Sequence, residues 1–431
     1  MSELAVLLNN DILGDIAEIE NRRLLLTYAP AFREVESPTP LSVSMPVQVS
    51  QHTDRVVKPW LWNLLPDNER VIERWAAHYG VSKSSPFSLL GTPIGHDCPG
   101  AVRFIQRTEL EATLRGKGDV EWLTEAEVAQ IIRDLKRDSA SWLGTRFRGQ
   151  FSLAGAQAKT ALLFENDRWG RPSGAIATSH ILKPAVAGLE DQDLNEHLCL
   201  TAAKDAGMIC VRSRLMQFED QTAIVLDRYD REIVDGGTVR IHQEDLCQAL
   251  SVPPSRKYQS EGGPGPRDIV RLLRAVMEPT AAEVAVRRFA EALAWNWIVG
   301  GTDAHAKNYS LLLSGPLVRL APLYDIASAL PYMHEREGRM AMKVGKDYDL
   351  YNYRNPWPDA AADLRLDVEW LIPRVIELAT VAPDAFSRAA NGADVAALNR
   401  PLAERLVDVV GKRAAYCREI AGAPRAPSMA S

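Results

Sequence analysis

Nine residues, Gly300-Gly-Thr-Asp-Ala-His-Ala-Lys-Asn308, separate two apolar stretches of different periodicity. Upstream, Val286, Phe289, Leu293 and Trp297 recur at helical spacing behind a capping pair, Thr280 and Glu283, and the double glycine at 300 and 301 stops the helix. Downstream, Tyr309-Ser-Leu-Leu-Leu313 and Val318-Arg-Leu-Ala321 read as the strands of a hairpin that leads into Pro322-Leu-Tyr-Asp-Ile326. Both flanks must be buried, so the polar residues between them are confined to one short bend held by a rigid frame. Asp303 and Asn308 sit on that bend, and the hairpin would return Asp325 beside Asn308.

An acid and an amide five residues apart reproduce the spacing of a kinase catalytic loop. There the aspartate lies beside the attacking hydroxyl and the asparagine oxygen holds a magnesium ion on the phosphates of ATP. Asp325 stands where such a site keeps its second metal-binding acid. Taken alone, a pair like Asp303 and Asn308 more often caps a helix-to-strand turn, so the rest of the chain has to tip the balance.

Phe151-Ser-Leu-Ala-Gly-Ala-Gln-Ala-Lys159 runs directly into a strand, Thr160-Ala-Leu-Leu-Phe164. Its small residues let the backbone of Ala154, Gly155, Ala156, Gln157, Ala158 and Lys159 come close to an anion. It is neither a Walker A loop nor Gly-x-Gly-x-x-Gly, and a plain hairpin turn is the commoner use of such a sequence. His180-Ile-Leu-Lys183 is a short apolar strand whose terminal lysine could hold the α- and β-phosphates, with Glu196 on a helix from about 193 to 206 as the acid that orients it. A solvent-exposed strand-end lysine fits equally well. A hairpin over 214–229 then places Asp227, Arg228 and Tyr229 at its exit, where backbone groups could meet a base and the Tyr229 ring could stack on it. His242 to Leu250 reads as a helix start. Ser260-Glu-Gly-Gly-Pro-Gly-Pro266 reads as a flexible loop, either a lid or a connector.

The remaining question is whether phosphates here belong to a nucleotide or to a polymer. A formal net charge of −6 lacks the positive field of a nucleic-acid coat. With 431 residues, 46% of them hydrophobic and 25% charged, the composition is that of a soluble protein of two or three domains. No run approaches membrane-spanning length and the first residues lack a basic start with a long apolar core, so a cytoplasmic location without membrane contact is expected. Five cysteines with no Cys-x-x-Cys pair predict reduced, mostly buried thiols. Short strands at 5–8, 24–28 and 41–45, an aromatic cluster packed against a turn over 60–67 and a helix over 68–79 give a β-rich start, and a helix over 123–135 opens at Thr124. Helices at 368–379 and 395–414 close the chain. The expected division is a β-rich subdomain at 1–110, an ATP-binding part of the core at 111–250, a catalytic, mainly helical lobe at 251–420 and a disordered tail at 421–431.

In order along the chain, Ser152-Leu-Ala-Gly-Ala-Gln-Ala-Lys-Thr160, His180-Ile-Leu-Lys183, Asp227-Arg-Tyr-Asp230, Gln243-Glu-Asp-Leu-Cys-Gln248, Gly262-Gly-Pro-Gly265, Thr302-Asp-Ala-His-Ala-Lys-Asn308 and Tyr324-Asp-Ile326 closely resemble the HipA family of serine/threonine kinase toxins. Pro40 to Pro46, Asn63 to Asp67 and Ser85 to Leu90 carry the likeness into the N-terminal part. The resemblance implies an α+β fold with a bilobal, protein-kinase-like core, a β-rich N-terminal subdomain and a mainly helical C-terminal lobe. It implies ATP and Mg²⁺ as cofactors, Asp303 as catalytic base, and Asn308 and Asp325 as metal ligands. Ala154 to Lys159, Lys183, Asp227 to Tyr229, His305, Ala306, Lys307, Asn308, Tyr324 and Asp325 would line the nucleotide site. Ser152 would be the autophosphorylated residue that switches the kinase off. Implied partners are a small helix-turn-helix antitoxin dimer, operator DNA read mainly through that antitoxin, and an aminoacyl-tRNA synthetase as substrate, the glutamyl enzyme above all, whose phosphorylation would halt translation. The chain departs from the family pattern at Ala158, often a glutamate, and at Ala304, commonly a glycine. A small-molecule phosphotransferase and a catalytically silent co-repressor are the competing classes.

Overall fold

A computed structural model of the chain describes residues 3–144, 150–186, 188–234, 237–334, 337–398 and 400–423. The chain forms two compact units. One is drawn from Met1–Val186, Met216–Ser255 and Ser310–Ala321, the other from Ala187–Leu215, Arg256–Tyr309 and Pro322–Ser431.

The first unit opens with β1 (Glu3–Leu8), β2 (Asp11–Ile19), β3 (Arg23–Tyr28), β4 (Gln51–Thr53) and β5 (Val102–Gln106), antiparallel in the order β4-β3-β2-β1-β5. One face carries Leu4, Val6, Ile16, Leu24 and Leu26, each no more than 2% exposed, and it packs into a core shared with Trp60, Trp75 and Phe104. The helix Glu69–Tyr79 has the expected ends: the Asn68 side chain accepts from the Arg70 N–H, and Gly80 closes it at φ 66°. One expectation fails here. Residues 41–45 make a turn rather than a strand, with Met45 N–H bonded to the Ser42 carbonyl and the Tyr28 hydroxyl tied to both Leu41 and Met45; prolines at 40 and 46 deny the segment a longer ladder. Trp60 to Asn63 end a helix, Asp54–Asn63, and the turn follows them, with the Leu64 and Leu65 N–H groups bonded to the Leu61 and Trp62 carbonyls.

A second sheet contains β6 (Val120–Leu123), β7 (Thr160–Glu165), β8 (Arg168–Pro172), β9 (His180–Lys183), β10 (Ser213–Phe218) and β11 (Gln221–Asp227), in the order β10-β11-β9-β7-β8-β6. The helix Glu125–Arg137 begins with the predicted cap, in which Thr124 and Glu127 satisfy each other's backbone N–H groups. A ribbon of β12 (Arg231–Val234) and β13 (Gly237–Arg240) follows. His242–Asp245, expected as the start of a helix, is a buried strand, β14, paired with β15 (Ser310–Ser314), which in turn pairs with β16 (Leu317–Leu320). Gln243, Glu244 and Asp245 find hydrogen-bond partners there, His242 bonds the Leu41 carbonyl through Nε2 while its Nδ1 is left without a partner among the described residues, and Asp245 caps the short helix Leu246–Ala249.

The second unit is mainly helical. It contains Gln192–Asp205, Pro266–Val276, Pro279–Val299, Trp357–Leu364, Val368–Ala390 and Pro401–Gly422, beside a small hairpin of β17 (Arg339–Val344) and β18 (Asp347–Asp349). Pro279–Val299 starts two residues earlier than predicted. Glu278 accepts from the Thr280 and Ala281 N–H groups and Pro279 takes the first helical position, so Thr280 and Glu283 form no capping box and Glu283 pairs instead with Arg274. The last helix runs to Gly422, and most of the tail expected at 421–431 lies outside the described residues. The architecture is α+β. Among the described residues no helix is long and apolar enough to cross a membrane. All five cysteines are free thiols, four of them buried.

Candidate active site

The catalytic-loop candidate is anchored by its helix. Pro279–Val299 is buried on every face through its last two turns, which leaves its C-terminal end no room to fray. Gly300 closes it at φ 70°, and the Gly301 N–H bonds to the Asn296 carbonyl at 2.7 Å. A Cβ on Gly301 would stand 2.2 Å from Asn296 Oδ1, so only glycine lets the chain turn this closely.

Past the double glycine the loop is tied across itself. The Asp303 carbonyl accepts from the His305 N–H and from Asn308 Nδ2, both at 2.8 Å, and the Asn308 N–H bonds to the His305 carbonyl at 2.9 Å. The amide nitrogen of Asn308 is thus spent on the loop, which turns its oxygen the other way. Asp303 presents its side chain to solvent, 69% exposed, while His305, Lys307 and Asn308 are buried. The Tyr258 hydroxyl donates to Asp303 Oδ1 at 2.6 Å, and His305 Nε2 lies 4.0 Å from the same oxygen.

Tyr324 reaches this loop through its hydroxyl, which donates to the Lys307 carbonyl at 2.8 Å. Leu323 is pinned on both sides, its N–H to Ile209 and its carbonyl to the Val211 N–H. Asp325 follows with φ 56°, a left-handed conformation that aspartate tolerates better than most residues, and its side chain is exposed. Three residues on, Asn195 from the helix Gln192–Asp205 holds Ser328 by paired bonds of 2.8 Å to its N–H and carbonyl. Asp303, His305, Asn308, Tyr324 and Asp325 therefore lie on segments fixed by backbone bonds within one unit.

The other candidates, apart from Glu196, lie in the first unit. Gly155 takes φ 98°, and its carbonyl accepts from the Asp67 N–H at 3.0 Å. Lys159 curls back so that its ammonium donates to the Ala154 carbonyl at 2.7 Å and sits 5.0 Å from the Trp142 ring centre. Ser152 is 0% exposed; its N–H bonds to the Asp97 carbonyl and its hydroxyl donates to the Leu64 carbonyl at 2.7 Å. Lys183 closes β9 and is 5% exposed. Glu196, 1% exposed, is on the second unit's helix Gln192–Asp205. At the end of β11, the Arg228 N–H is taken by the Ser179 carbonyl, and the Tyr229 hydroxyl donates to Gln243 Oε1.

Arg228 has a larger structural part. Its guanidinium bonds Asp97 at 3.2 Å and Asp230 at 2.8 Å; Arg231 bonds the same two acids at 2.8 and 3.0 Å, and Arg240 reaches Asp97 at 3.4 Å. Every one of these side chains is at most 6% exposed. Burial by itself would raise the Asp97 carboxyl, but Arg231, Arg228 and Arg240 overcome it and hold it well below the usual carboxylate range. Arg231 and Arg240 begin and end the β12–β13 ribbon, so this knot binds the ribbon, the exit of β11 and the chain ahead of β5 together.

Neither Tyr258 nor the knot was found by sequence reasoning. The Gly262-Gly-Pro-Gly265 signal lies four residues from Tyr258 and marks the turn that carries it. A cleft of about 490 Å³ in the second unit, lined by His197, Lys204, Arg212, Ser213, Arg388 and Asp394, includes none of the predicted site residues.

Profiles of two protein families match this chain, the HipA N-terminal domain over residues 4–105 and the HipA-like C-terminal domain over residues 151–387. The chain belongs to the HipA family. The protein Y4mE of Sinorhizobium fredii is 32% identical over 381 residues, covering 88% of this chain and 89% of that relative. The serine/threonine-protein kinase toxin HipA of Shewanella oneidensis is 28% identical over 339 residues, 74% of each chain. A solved structure of Shewanella oneidensis HipA, in complex with HipB and operator DNA, superposes with a TM-score of 0.81 at 23% identity, over 98% of this chain and all of that one. The fold is therefore that of HipA.

Proposed function

We propose that this chain is an ATP- and Mg²⁺-dependent serine/threonine protein kinase acting as the toxin of a toxin–antitoxin module. The observation that carries the proposal is the self-bonded loop from Gly300 to Asn308, in a chain of the HipA family, with an exposed acid at Asp303 and an amide at Asn308 whose nitrogen is already spent on the Asp303 carbonyl. Asp303 takes the proton of the acceptor hydroxyl as its oxygen bonds to the γ-phosphorus. Asn308 Oδ1 and the Asp325 carboxylate are hard oxygens of the kind Mg²⁺ selects. Two protein ligands suit an ion that takes the rest from phosphates and water. When bound, that ion would neutralise charge on the transferring phosphoryl group. Lys183, with the backbone of Ala154 to Lys159, would hold the phosphates. Asp227, Tyr229, His305, Ala306, Lys307 and Tyr324 would complete the nucleotide site, with Arg228 serving mainly to fix Asp227 and Tyr229 through the buried knot.

An aminoacyl-tRNA synthetase, the glutamyl enzyme first, is the proposed acceptor, and a HipB-like DNA-binding antitoxin the proposed partner. That partner follows the assembly in which the Shewanella protein was solved. Ser152 is the proposed self-inactivation site. Its hydroxyl is fully buried and donates to Leu64, so modification requires residues 151–159 to leave their place. A phosphate carrying roughly two negative charges is repelled from that place, where the partner of the hydroxyl is another oxygen, the Leu64 carbonyl.

Intact mass before and after incubation with Mg-ATP, followed by peptide mapping, tests this reading. The wild type should gain one phosphoryl group on Ser152 and Asp303→Asn none. A wild type that starts unmodified, binds ATP and gains nothing would remove Ser152 as a site. Transfer by a folded Asp303→Asn chain would overturn the assignment of the base.

A further inference from the structure

Tyr258 occupies a place that the catalytic reading of Asp303 leaves unassigned. Its hydroxyl lies 2.6 Å from Asp303 Oδ1, the short distance of a bond between a neutral O–H and an ionised carboxylate. The phenol is itself held: its ring packs edge-on against His305 at 5.0 Å, and His305 is buried on the same loop as Asp303. Lys257 Nζ stands 5.4 Å from the ring centre. Tyr258 and His305 thus stand at the carboxylate, with Lys257 beside the phenol ring.

The turn behind Tyr258 was expected to be a flexible loop, and its construction is the opposite. The Glu261 and Gly263 N–H groups both bond to the Tyr258 carbonyl, at 3.0 and 2.9 Å, and Gly262 adopts φ 86°. A Cβ on Gly263 would stand 2.1 Å from the Arg256 carbonyl, and one on Gly265 would stand 2.2 Å from Gln259 Nε2. Gln259 Oε1 in turn accepts from the Lys343 N–H of β17 at 2.8 Å, and the Asp268 side chain bonds the Gly265 N–H ahead of the helix Pro266–Val276. Glycines at 263 and 265 are what let this turn close so tightly. The closed turn delivers one phenol to one carboxylate.

We propose that Tyr258 is a positioning residue for the proposed base: it fixes the rotamer of the solvent-exposed Asp303 by binding Oδ1, and so aims Oδ2 at the acceptor hydroxyl. The role rests on the reading of Asp303 as base. An exposed aspartate otherwise samples several staggered rotamers, and only one of them points an oxygen at a given proton. In the step itself the acceptor O–H proton passes to Oδ2, the acceptor oxygen bonds to the γ-phosphorus, and the bond from that phosphorus to the bridging oxygen breaks to release ADP. Tyr258 keeps its proton throughout.

Tyr258→Phe removes the hydroxyl and keeps the ring against His305. The reaction to follow is single-turnover transfer from Mg-ATP to the chain itself, read by intact mass at a series of ATP concentrations, beside wild type and Asp303→Asn. The rate at saturating ATP should fall roughly 10- to 100-fold, the loss expected of a misaimed group, while the half-saturating ATP concentration and the melting temperature stay at wild-type values. A merely structural role would move the last two. An unchanged rate would overturn the proposal. A faster rate would overturn it too, by showing that the phenol blocks the acceptor position, and a phosphotyrosine at 258 would show that it is the acceptor. If Asp303→Asn transfers as well as wild type, the base assignment itself fails; if Asp303→Asn is dead and Tyr258→Phe is normal, only the positioning role fails.

Discussion

Asp303 and Asp97 are both aspartates held by a hydroxyl group, Tyr258 for one and Thr178 for the other, and they differ in almost everything else. The Asp303 side chain is 69% exposed and fixed by a phenol. The Asp97 side chain is 4% exposed and gathers three guanidiniums, the Thr178 hydroxyl and the Thr178 N–H. Water screens the first charge, so it can change protonation during a reaction at little cost to the fold. The second has no water, and its charge persists only while all its partners are present. Clusters of charged side chains therefore divide by solvation: the hydrated one is suited to chemistry, the dry one to holding elements in register.

The sharpest break of that comparison is to neutralise each acid in turn. Asp303→Asn should lower phosphoryl transfer by about 10³-fold, within the span usual for removing a general base, with no loss of melting temperature. Asp97→Ala should act in the opposite way. It leaves Arg231 and Arg240 without a carboxylate they now share and strands buried charge, at a cost of about 3–5 kcal/mol in urea unfolding. Asp97 also ties the first unit internally through its carbonyl, which accepts from Ser152, but the alanine variant keeps that bond. A loss under about 1 kcal/mol for Asp97→Ala would mean the knot is hydrated and the distinction false.

What the sequence revealed follows the same division. The loop at 300–308 was legible because its signals are local: a helix period, a double glycine, an acid and an amide at fixed spacing. The ends of Glu69–Tyr79 and Glu125–Arg137 were legible for the same reason, since Asn68, Gly80 and Thr124 act within one turn. The knot was not, because Asp97 and Arg228 lie 131 positions apart and each alone looks like a solvated surface charge. Local propensity misled where distant partners override it. His242–Asp245 carries the polar residues of a helix start, yet it is a fully buried strand because Leu311, Leu312 and Leu313 pair with it and Gln243 and Glu244 find donors elsewhere in the fold. Residues 260–266 looked flexible from glycine content alone, and the glycines there serve close packing instead.

Glu244, on that strand, is the intermediate case and gives the smallest and most discriminating test. It is 0% exposed and its neighbours are neutral donors: the Val43 N–H at 2.8 Å and Trp60 Nε1 at 3.0 Å. Burial pushes its carboxyl up to about 7, against the pull of Ser42, Val43 and Trp60, with Asp245 adding to the rise. A folded-state value above the unfolded one means that the folded chain binds the extra proton between about pH 4.5 and 7, so stability from this group is present at low pH and is lost as pH rises through 7. The buried neutral His242, pushed down to about 4 by burial, contributes a slope of opposite sign over part of that range, so the wild-type curve alone does not isolate Glu244. The difference between wild type and Glu244→Gln does, because His242 is common to both. Near pH 5 the two should be about equal in urea unfolding, and by pH 8 the glutamine variant should be the more stable by on the order of 2 kcal/mol. A difference that stays flat from pH 5 to 8 would show that the donors hold Glu244 ionised throughout, and that a dry carboxylate in this fold can be kept by neutral hydrogen bonds where Asp97 takes three arginines.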